Sequence, residues 1–415
     1  MAENILAIKG GKLIDGTGGA PIEKGSVLVR EGRILTVGQS ADVSVPAGAE
    51  MVDAAGKTIM PGLIDAHLHF LGIRSPNQVT WVIDPPHVRG MRAVMDAWRV
   101  VDSGFTSVRD AGGMLGLYLK QAISEGSIVG PRIMAAGKAI SQTAGHADWH
   151  FMPKKWGERM MLGRIADGVA DVRQAAREQL REGADFLKIM TTGGVMSEKD
   201  KPTSCQFSME EIRAFVEEAK NAGVKTASHA QGAQGIKNAI TAGIDSIEHG
   251  IFLDDECIEM MTKKRTRLIP TFAIVDAIVT KGRELGVMEV SVRKAESVQE
   301  AHIENFKKAF KAGVKCGLGS DYLSGPMSPH GESATELEIY VKKAGLTPMD
   351  AIVCATKMNA EVLGLEDDIG TLEEGKRADI IVVDGDPLND ISLLRDRNKI
   401  SAVYVGGEAV PRLPM

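Results

Sequence analysis

Asn221-Ala222-Gly223-Val224-Lys225 and Thr241-Ala242-Gly243-Ile244-Asp245 carry the same message twice: a helical pattern stops at glycine and an apolar strand begins. Glycine accepts the left-handed conformation that closes a helix, so each phrase reads as a helix C-terminus leading into a strand. The phrase recurs at Asp102-Ser103-Gly104-Phe105-Thr106, Arg181-Glu182-Gly183-Ala184-Asp185 and Lys311-Ala312-Gly313-Val314-Lys315. Helix starts agree. Ser208-Met209-Glu210-Glu211 has capping-box spacing, followed by Ile212, Phe215, Val216 and Ala219 on one helical face, and Val169, Val172, Ala176 and Leu180 form a second stripe before Gly183. Repeating βα units of this kind leave two architectures, a closed parallel barrel or a doubly wound open sheet.

Polar residues decide between them. Lys188 falls five residues after its glycine (188 − 183), His229 six (229 − 223), His249 six (249 − 243) and Asp321 eight (321 − 313), which puts each near the C-terminal end of its strand. A closed barrel gathers those ends around one axis, whereas an open sheet spreads them in a row. The expected fold is therefore α/β, a (β/α)8 TIM barrel spanning 59–356. The chain ends differ: Ile5-Leu6-Ala7-Ile8, Ser26-Val27-Leu28-Val29 and Ile34-Leu35-Thr36-Val37 at one end, and Ile380-Ile381-Val382-Val383 and Ala402-Val403-Tyr404-Val405 at the other, read as antiparallel strands and hairpins. One small β-sandwich built from residues 1–58 and 357–415 accounts for both.

At 415 residues with 44% hydrophobic content the chain can bury a large core, and a net charge of −6 without a basic block excludes the electrostatic footprint of a nucleic-acid binder. No segment has the apolar length to span a bilayer and the start lacks a signal-type core, so a soluble cytoplasmic protein is expected, with a small-molecule substrate and a homo-oligomeric state but no membrane or nucleic-acid partner. Cys205, Cys257, Cys316 and Cys354 are widely spaced and read as buried or inert thiols.

His67-Leu68-His69 follows the apolar stretch Thr58-Ile59-Met60-Pro61-Gly62-Leu63-Ile64-Asp65-Ala66. Side chains two apart on a strand share a face, so the two imidazoles can grip one ion. Imidazole and carboxylate suit a divalent ion of the zinc class. Lys188 is the odd member: an ordinary lysine, with a pKa of about 10.4, would set a cation beside a cation. Either it is a structural lysine paired with a carboxylate, or it is modified to a carbamate, whose two oxygens can bridge metals about 3.5–4 Å apart.

The combination Pro61-Gly62-Leu63-Ile64-Asp65-Ala66-His67-Leu68-His69, Lys188-Ile189-Met190, Ser228-His229-Ala230, Ile247-Glu248-His249-Gly250 and Gly319-Ser320-Asp321, in that order, resembles the amidohydrolase superfamily in its binuclear form. Thr356-Lys357-Met358-Asn359-Ala360 and Gly370-Thr371-Leu372-Glu373-Glu374-Gly375-Lys376-Arg377-Ala378-Asp379-Ile380 resemble its C-terminal return, so the likeness runs through essentially the whole chain. The branch it resembles most is that of Xaa-Pro dipeptidases (prolidase-like), arginine carboxypeptidase-like enzymes and ochratoxin amidases. The resemblance implies two divalent ions, zinc foremost: His67, His69 and Asp321 on one, His229 and His249 on the other, carboxylated Lys188 bridging. It implies a metal-bridging hydroxide that cleaves a C–N amide bond, with Asp321 as general base and then general acid.

Ser141-Gln142-Thr143-Ala144-Gly145-His146-Ala147-Asp148 resembles a loop that supplies a substrate-contacting histidine, which makes His146 a catalytic and substrate-binding candidate. His150, His87 and His302 read instead as loop histidines bonded to backbone, His330 as a support near Asp321, and Arg109 with Asp110 as part of a buried ion pair between strand ends. Gln231 departs from the aromatic residue or histidine of relatives and is a substrate-binding candidate, since an amide both donates and accepts; Tyr322 is another local difference. The expected function is hydrolysis of a small carboxylate-bearing substrate, an Xaa-Pro-type dipeptide or an N-acyl amino acid. The alternatives are a mononuclear deaminase of a heterocycle, which has no need of a bridging lysine, and a non-catalytic assembly protein, which would have lost metal ligands.

Overall fold

The computed structural model describes residues 5–153, 156 and 162–414. Both chain ends enter one connected eight-stranded sheet, in the order Glu408–Ala409, Ile400–Val405, Ile380–Val383, Thr58–Pro61, Ile5–Leu13, Ile22–Arg30 and Arg33–Gln39, with Glu50–Asp53 also paired to Ile5–Leu13. Its alternating inward residues, among them Leu6, Ile8, Val27, Val29, Ile59, Ile380 and Val382, pack into a core of their own. The pairing is not all antiparallel as the hairpin-like sequence suggested: Ile5–Leu13 runs parallel to both Glu50–Asp53 and Thr58–Pro61. The chain leaves through the hairpin strands and returns alongside the first, which makes those two contacts parallel.

Between the ends, strands alternate with helices and pair in parallel. Leu63–Leu68, Phe105–Asp110 and Arg132–Ala135 form one sheet, and Gly163–Ile165, Ala139–Ser141, Phe186–Met190, Lys225–Ala230, Ser246–His249 and Arg267–Ile269 form another. Hydrogen bonds link their edges. Asp185 N donates to Ala135 O at 2.9 Å on one side. On the other, Leu268 N donates to Lys315 O (2.9 Å), Ala66 N to Leu318 O (2.9 Å) and His69 N to Tyr322 O (2.9 Å), so residues 315–322 run between Arg267–Ile269 and Leu63–Leu68. The arrangement is a TIM-barrel-like α/β fold.

Local rules explain the units. All five stop glycines hold positive φ, from 70° at Gly223 to 102° at Gly243, where a Cβ would be strained. Ser208 and Glu211 make the reciprocal capping box of helix Met209–Ala222, whose Ile212, Phe215 and Ala219 are buried. The stripe on helix Val169–Arg181 is displaced from expectation: Val169 is exposed, and Gln179 joins Val172 and Ala176 on the buried face. Gln179 is drawn inward because its Oε1 accepts from Lys138 N at 2.8 Å and its Nε2 donates to Ala175 O at 3.3 Å. His302 and His87 lie in helices Glu289–Lys311 and Pro86–Asp102 rather than in loops, and Cys205 is exposed, unlike the other three thiols.

Asn359 fastens the segment that links the two parallel sheets. Its Nδ2 donates to Ile64 O (2.6 Å) and Leu318 O (2.8 Å), and its Oδ1 accepts from Leu318 N (3.0 Å), all in the interior. Asn359→Ala leaves Leu318 N without its acceptor and takes a donor from Ile64 O, while Leu318 O keeps Ala66 N; each buried group left unpaired costs about 1–3 kcal/mol. Urea unfolding is expected to show a loss of about 3 kcal/mol; a loss below about 1 kcal/mol would mean that the segment is held by packing alone.

Candidate active site

The strand ends converge on one cavity, whose lining includes His67, His69, His146, Lys188, His229, Gln231, His249 and Asp321. His67 and His69, two apart at the end of Leu63–Leu68, point the same way: His67 Nε2 lies 3.5 Å and His69 Nε2 3.2 Å from Asp321 Oδ1. Ligand atoms of these three residues all lie within 4.8 Å of one another, a group able to hold a metal ion. His229 and His249 adjoin it, with ring centroids 4.5 Å apart and His249 5.2 Å from His67. Lys188 sits in the middle of Phe186–Met190 rather than at its end.

Each histidine has one nitrogen engaged from behind. His67 Nδ1 lies 2.6 Å from Glu248 Oε2, His69 Nδ1 donates to Gly112 O at 2.9 Å, and His249 Nδ1 lies 2.7 Å from Thr271 Oγ1, so all three present Nε2 to the centre. His229 is turned the other way: its Nε2 donates to Gly193 O at 3.0 Å, leaving Nδ1 free. Such outer contacts fix the tautomer that a metal-binding imidazole needs. Burial, reinforced by the Lys188 charge, pushes His67 down to about 4. Burial and the neighbouring histidine charges likewise hold His229 and His249 well below the usual range, so their lone pairs are available at neutral pH. For His69, burial is outweighed by the hydrogen bond and charge of Asp321, which raise its pKa. Burial also opposes ionisation of Asp321, but the charges of His67, His69 and Lys188 outweigh it and hold the carboxyl low.

Lys188 is 1% exposed and its Nζ has no hydrogen-bond partner among the described residues. Burial lowers it to about 8. The structural alternative, a lysine hydrogen-bonded to a carboxylate, does not match this environment, because neither of the carboxylates that face it, Glu248 and Asp321, is hydrogen-bonded to Nζ. Glu248 Oε1 accepts from Arg109 Nη2 (2.6 Å) and Ser246 Oγ (2.6 Å), and its Oε2 faces His67. An orphaned amine beside imidazoles and a carboxylate suits the donor set of a divalent metal centre.

The remaining candidates divide. His146 stacks on His229 with centroids 4.1 Å apart, and its Nδ1 lies 2.9 Å from Ser197 Oγ. Gln231 is 4% exposed and its Oε1 has no partner among the described residues. His150 Nε2 donates to Gly145 O at 3.1 Å, the backbone role expected of it, although its ring also borders the cavity. His87 is exposed, away from that cavity. His330 Nε2 donates to His69 O (3.1 Å) and His302 Nε2 to His249 O (2.9 Å), so both hold backbone next to the metal group. Asp110 accepts from Phe70 N and Gly112 N instead of pairing with Arg109. Sequence reasoning gave no role to Glu248, Thr271 or Trp149, whose Nε1 at the cavity wall has no partner among the described residues; the position of Glu248 beside His249 was the one available signal.

The Amidohydrolase family model matches residues 58–410, and the chain belongs to that family. Among curated relatives, the ochratoxinase of Aspergillus niger is 33% identical over 97% of this chain and 86% of its own length. The crystal structure of A. niger ochratoxinase superposes with a TM-score of 0.90, covering 98% of this chain and 96% of that one at 32% identity. A prolidase complexed with N-methylphosphonate-L-proline gives a TM-score of 0.90 at 34% identity, over 99% of this chain and 100% of that one. A Xaa-Pro dipeptidase with bound methionine in its active site gives 0.87 at 33%, over 98% and 99%. The chain is thus a hydrolase of amidohydrolase type.

Glu248→Gln keeps the shape of the support behind His67 but removes its charge. Losing such an outer contact costs about 10–100-fold in metal affinity. Zinc titration against a competing chelator is expected to show a weakening of that size, and an unchanged affinity would remove Glu248 from the metal group.

Proposed function

We propose that this chain is a binuclear metallohydrolase that cleaves a C–N amide bond in a small carboxylate-bearing substrate, an Xaa-Pro-type dipeptide or an N-acyl amino acid. The observation that carries the reading is Lys188, buried and, among the described residues, without a hydrogen-bond partner, beside His67, His69, His229, His249 and Asp321. With its pKa lowered to about 8, a neutral amine is accessible near neutral pH. That amine adds to carbon dioxide, forming an N–C bond and releasing one proton, and the resulting carbamate is an anion with two oxygens. His67, His69 and Asp321 would hold one ion, His229 and His249 the other, and carboxylated Lys188 both. When bound, two divalent ions of the zinc class supply an activated hydroxide and polarise the scissile carbonyl.

The other steps belong to side chains. Asp321 accepts the proton released during attack and returns it to the leaving nitrogen. His146, with Nδ1 engaged by Ser197, has Nε2 left for a substrate carbonyl or carboxylate. Gln231 Oε1 can accept from a substrate N–H. Trp149, Phe151, Met196, Ile274 and Ile278 offer apolar wall to the rest of the substrate. The ochratoxinase, prolidase and Xaa-Pro dipeptidase likenesses support an amide target. The same reading takes 59–356 as a closed (β/α)8 barrel domain and 1–58 with 357–415 as a β-sandwich domain. No helix among the described residues is long and apolar enough to cross a membrane.

The test is a panel of N-acyl amino acids and Xaa-Pro dipeptides offered to zinc-loaded protein, with heterocyclic amines as the contrasting set. Amide hydrolysis with two ions per chain is expected; deamination with one ion per chain would overturn the reading. Lys188→Ala should lower both metal content and rate, and added short-chain carboxylates should restore part of the rate. An unaffected Lys188→Ala would contradict the bridge. For Asp321→Asn, turnover should fall by about a hundredfold or more with circular dichroism unchanged; near-native turnover would exclude Asp321 from proton transfer.

A further inference from the structure

Helix Glu289–Lys311 presents several polar side chains toward the His229–His249 half of the site. His302 Nε2 donates to His249 O at 2.9 Å, and Asn305 Nδ2 donates to Ile251 O at 3.0 Å, two residues further along the same loop. Nearer its start, Lys294 Nζ donates to three carbonyls of one turn: Gly194 O (3.1 Å), Ser197 O (2.7 Å) and Asp200 O (2.6 Å). An ammonium has three hydrogens to donate, and here all three find acceptors.

That turn touches the site at two points. Gly193 O receives Nε2 of His229, and Ser197 Oγ lies 2.9 Å from Nδ1 of His146. Gly194 also packs so closely on the His146 ring that a Cβ there would overlap it. Asp200 closes the turn from inside, accepting from Ser197 Oγ and Gly194 N. The orientation of both stacked histidines thus depends on the path of 193–200, which Asp200 closes from inside and Lys294 gathers from outside, with longer contacts from Ser291 Oγ (3.5 Å) and Gln78 Nε2 (3.4 Å) to Met196 O.

We propose that helix Glu289–Lys311 is the brace of this half of the site and that Lys294 is its positioning residue, setting the rings of His229 and His146 through the 193–200 turn. The inference rests on the two-ion reading for its effect on metal binding, but not for its effect on the rings. Lys294→Met removes the donors and keeps the aliphatic stem, while Lys294→Arg restores donors on a longer arm.

Three measurements on the full chain decide it: amide exchange of 193–200 by mass spectrometry, the ring resonances of the nine histidines in metal-free protein, and zinc titration. Lys294→Met should speed exchange in the turn by about tenfold or more, shift the His229 and His146 rings while leaving His67 and His69 in place, and weaken the more loosely held zinc by about 10–100-fold. Lys294→Arg should lie closer to wild type in all three. Faster exchange with unmoved rings would reduce Lys294 to loop packing and overturn the proposal, as would no change at all. If wild type binds a single zinc, the two-ion reading falls by that result, and the brace is judged by the rings alone. Should Lys294→Met fail to fold, Lys294→Gln, which keeps a donor without the charge, is read in the same way.

Discussion

The buried carboxylate of Glu248 is the tie on which the site depends. It receives Arg109 from Phe105–Asp110 and Ser246 from its own strand on one oxygen, and faces His67 from Leu63–Leu68 on the other. Burial opposes its ionisation, but the charges of Arg109 and Lys188 and the His67 contact prevail and keep the carboxyl well below the usual range. Arg109 also donates to Ala66 O and Ser246 Oγ, one residue from His67 and two from Glu248. Three strands are therefore locked in register at the level where His67 and His249 emerge. Removing one member leaves a buried charge unpaired, a loss of about 3–5 kcal/mol, so the tie constrains geometry more than it contributes net stability.

Backbone conformation completes the geometry. His249, Thr271 and Asp321 all hold positive φ, at 70°, 58° and 54°, without being glycine. Each lies where a strand path gives out; His249 and Asp321 line the cavity from these left-handed turns, and Thr271 meets His249 from its own. Such residues cost about 1–3 kcal/mol each and persist where the surroundings over-determine them. The surroundings here are specific: Thr271 meets His249, and Glu336 accepts from Phe272 N and Ala273 N immediately after it. Asp65 accepts from Ser320 N and Oγ just before Asp321.

What was legible in the sequence was local. Glycine stops, the capping box at Ser208 and the two-residue spacing of His67 and His69 depend on near neighbours, and they yielded the order of strands and helices and the residues at the strand ends. What was not legible lies across the chain. The His67–Glu248 contact joins residues 181 positions apart, and no periodicity marks Glu248 as its partner. Lys294 and His302 sit on a long amphipathic helix, where a lysine reads as solvated and a histidine as incidental. The inward turn of Gln179 and the exposure of Val169 have the same origin: tertiary hydrogen bonding overrode the hydrophobic stripe. The parallel pairings of Ile5–Leu13 depended on where the chain returned, which hairpin-like composition does not encode.

We propose that the buried Lys188 amine, without a partner among the described residues, carries a carbamate shared by two ions. Carbon-13 NMR of protein equilibrated with labelled bicarbonate and zinc tests it directly. The account predicts one carbamate carbonyl resonance per chain that is absent from a Lys188→Ala variant. An amide-hydrolysing protein with no such resonance would contradict it.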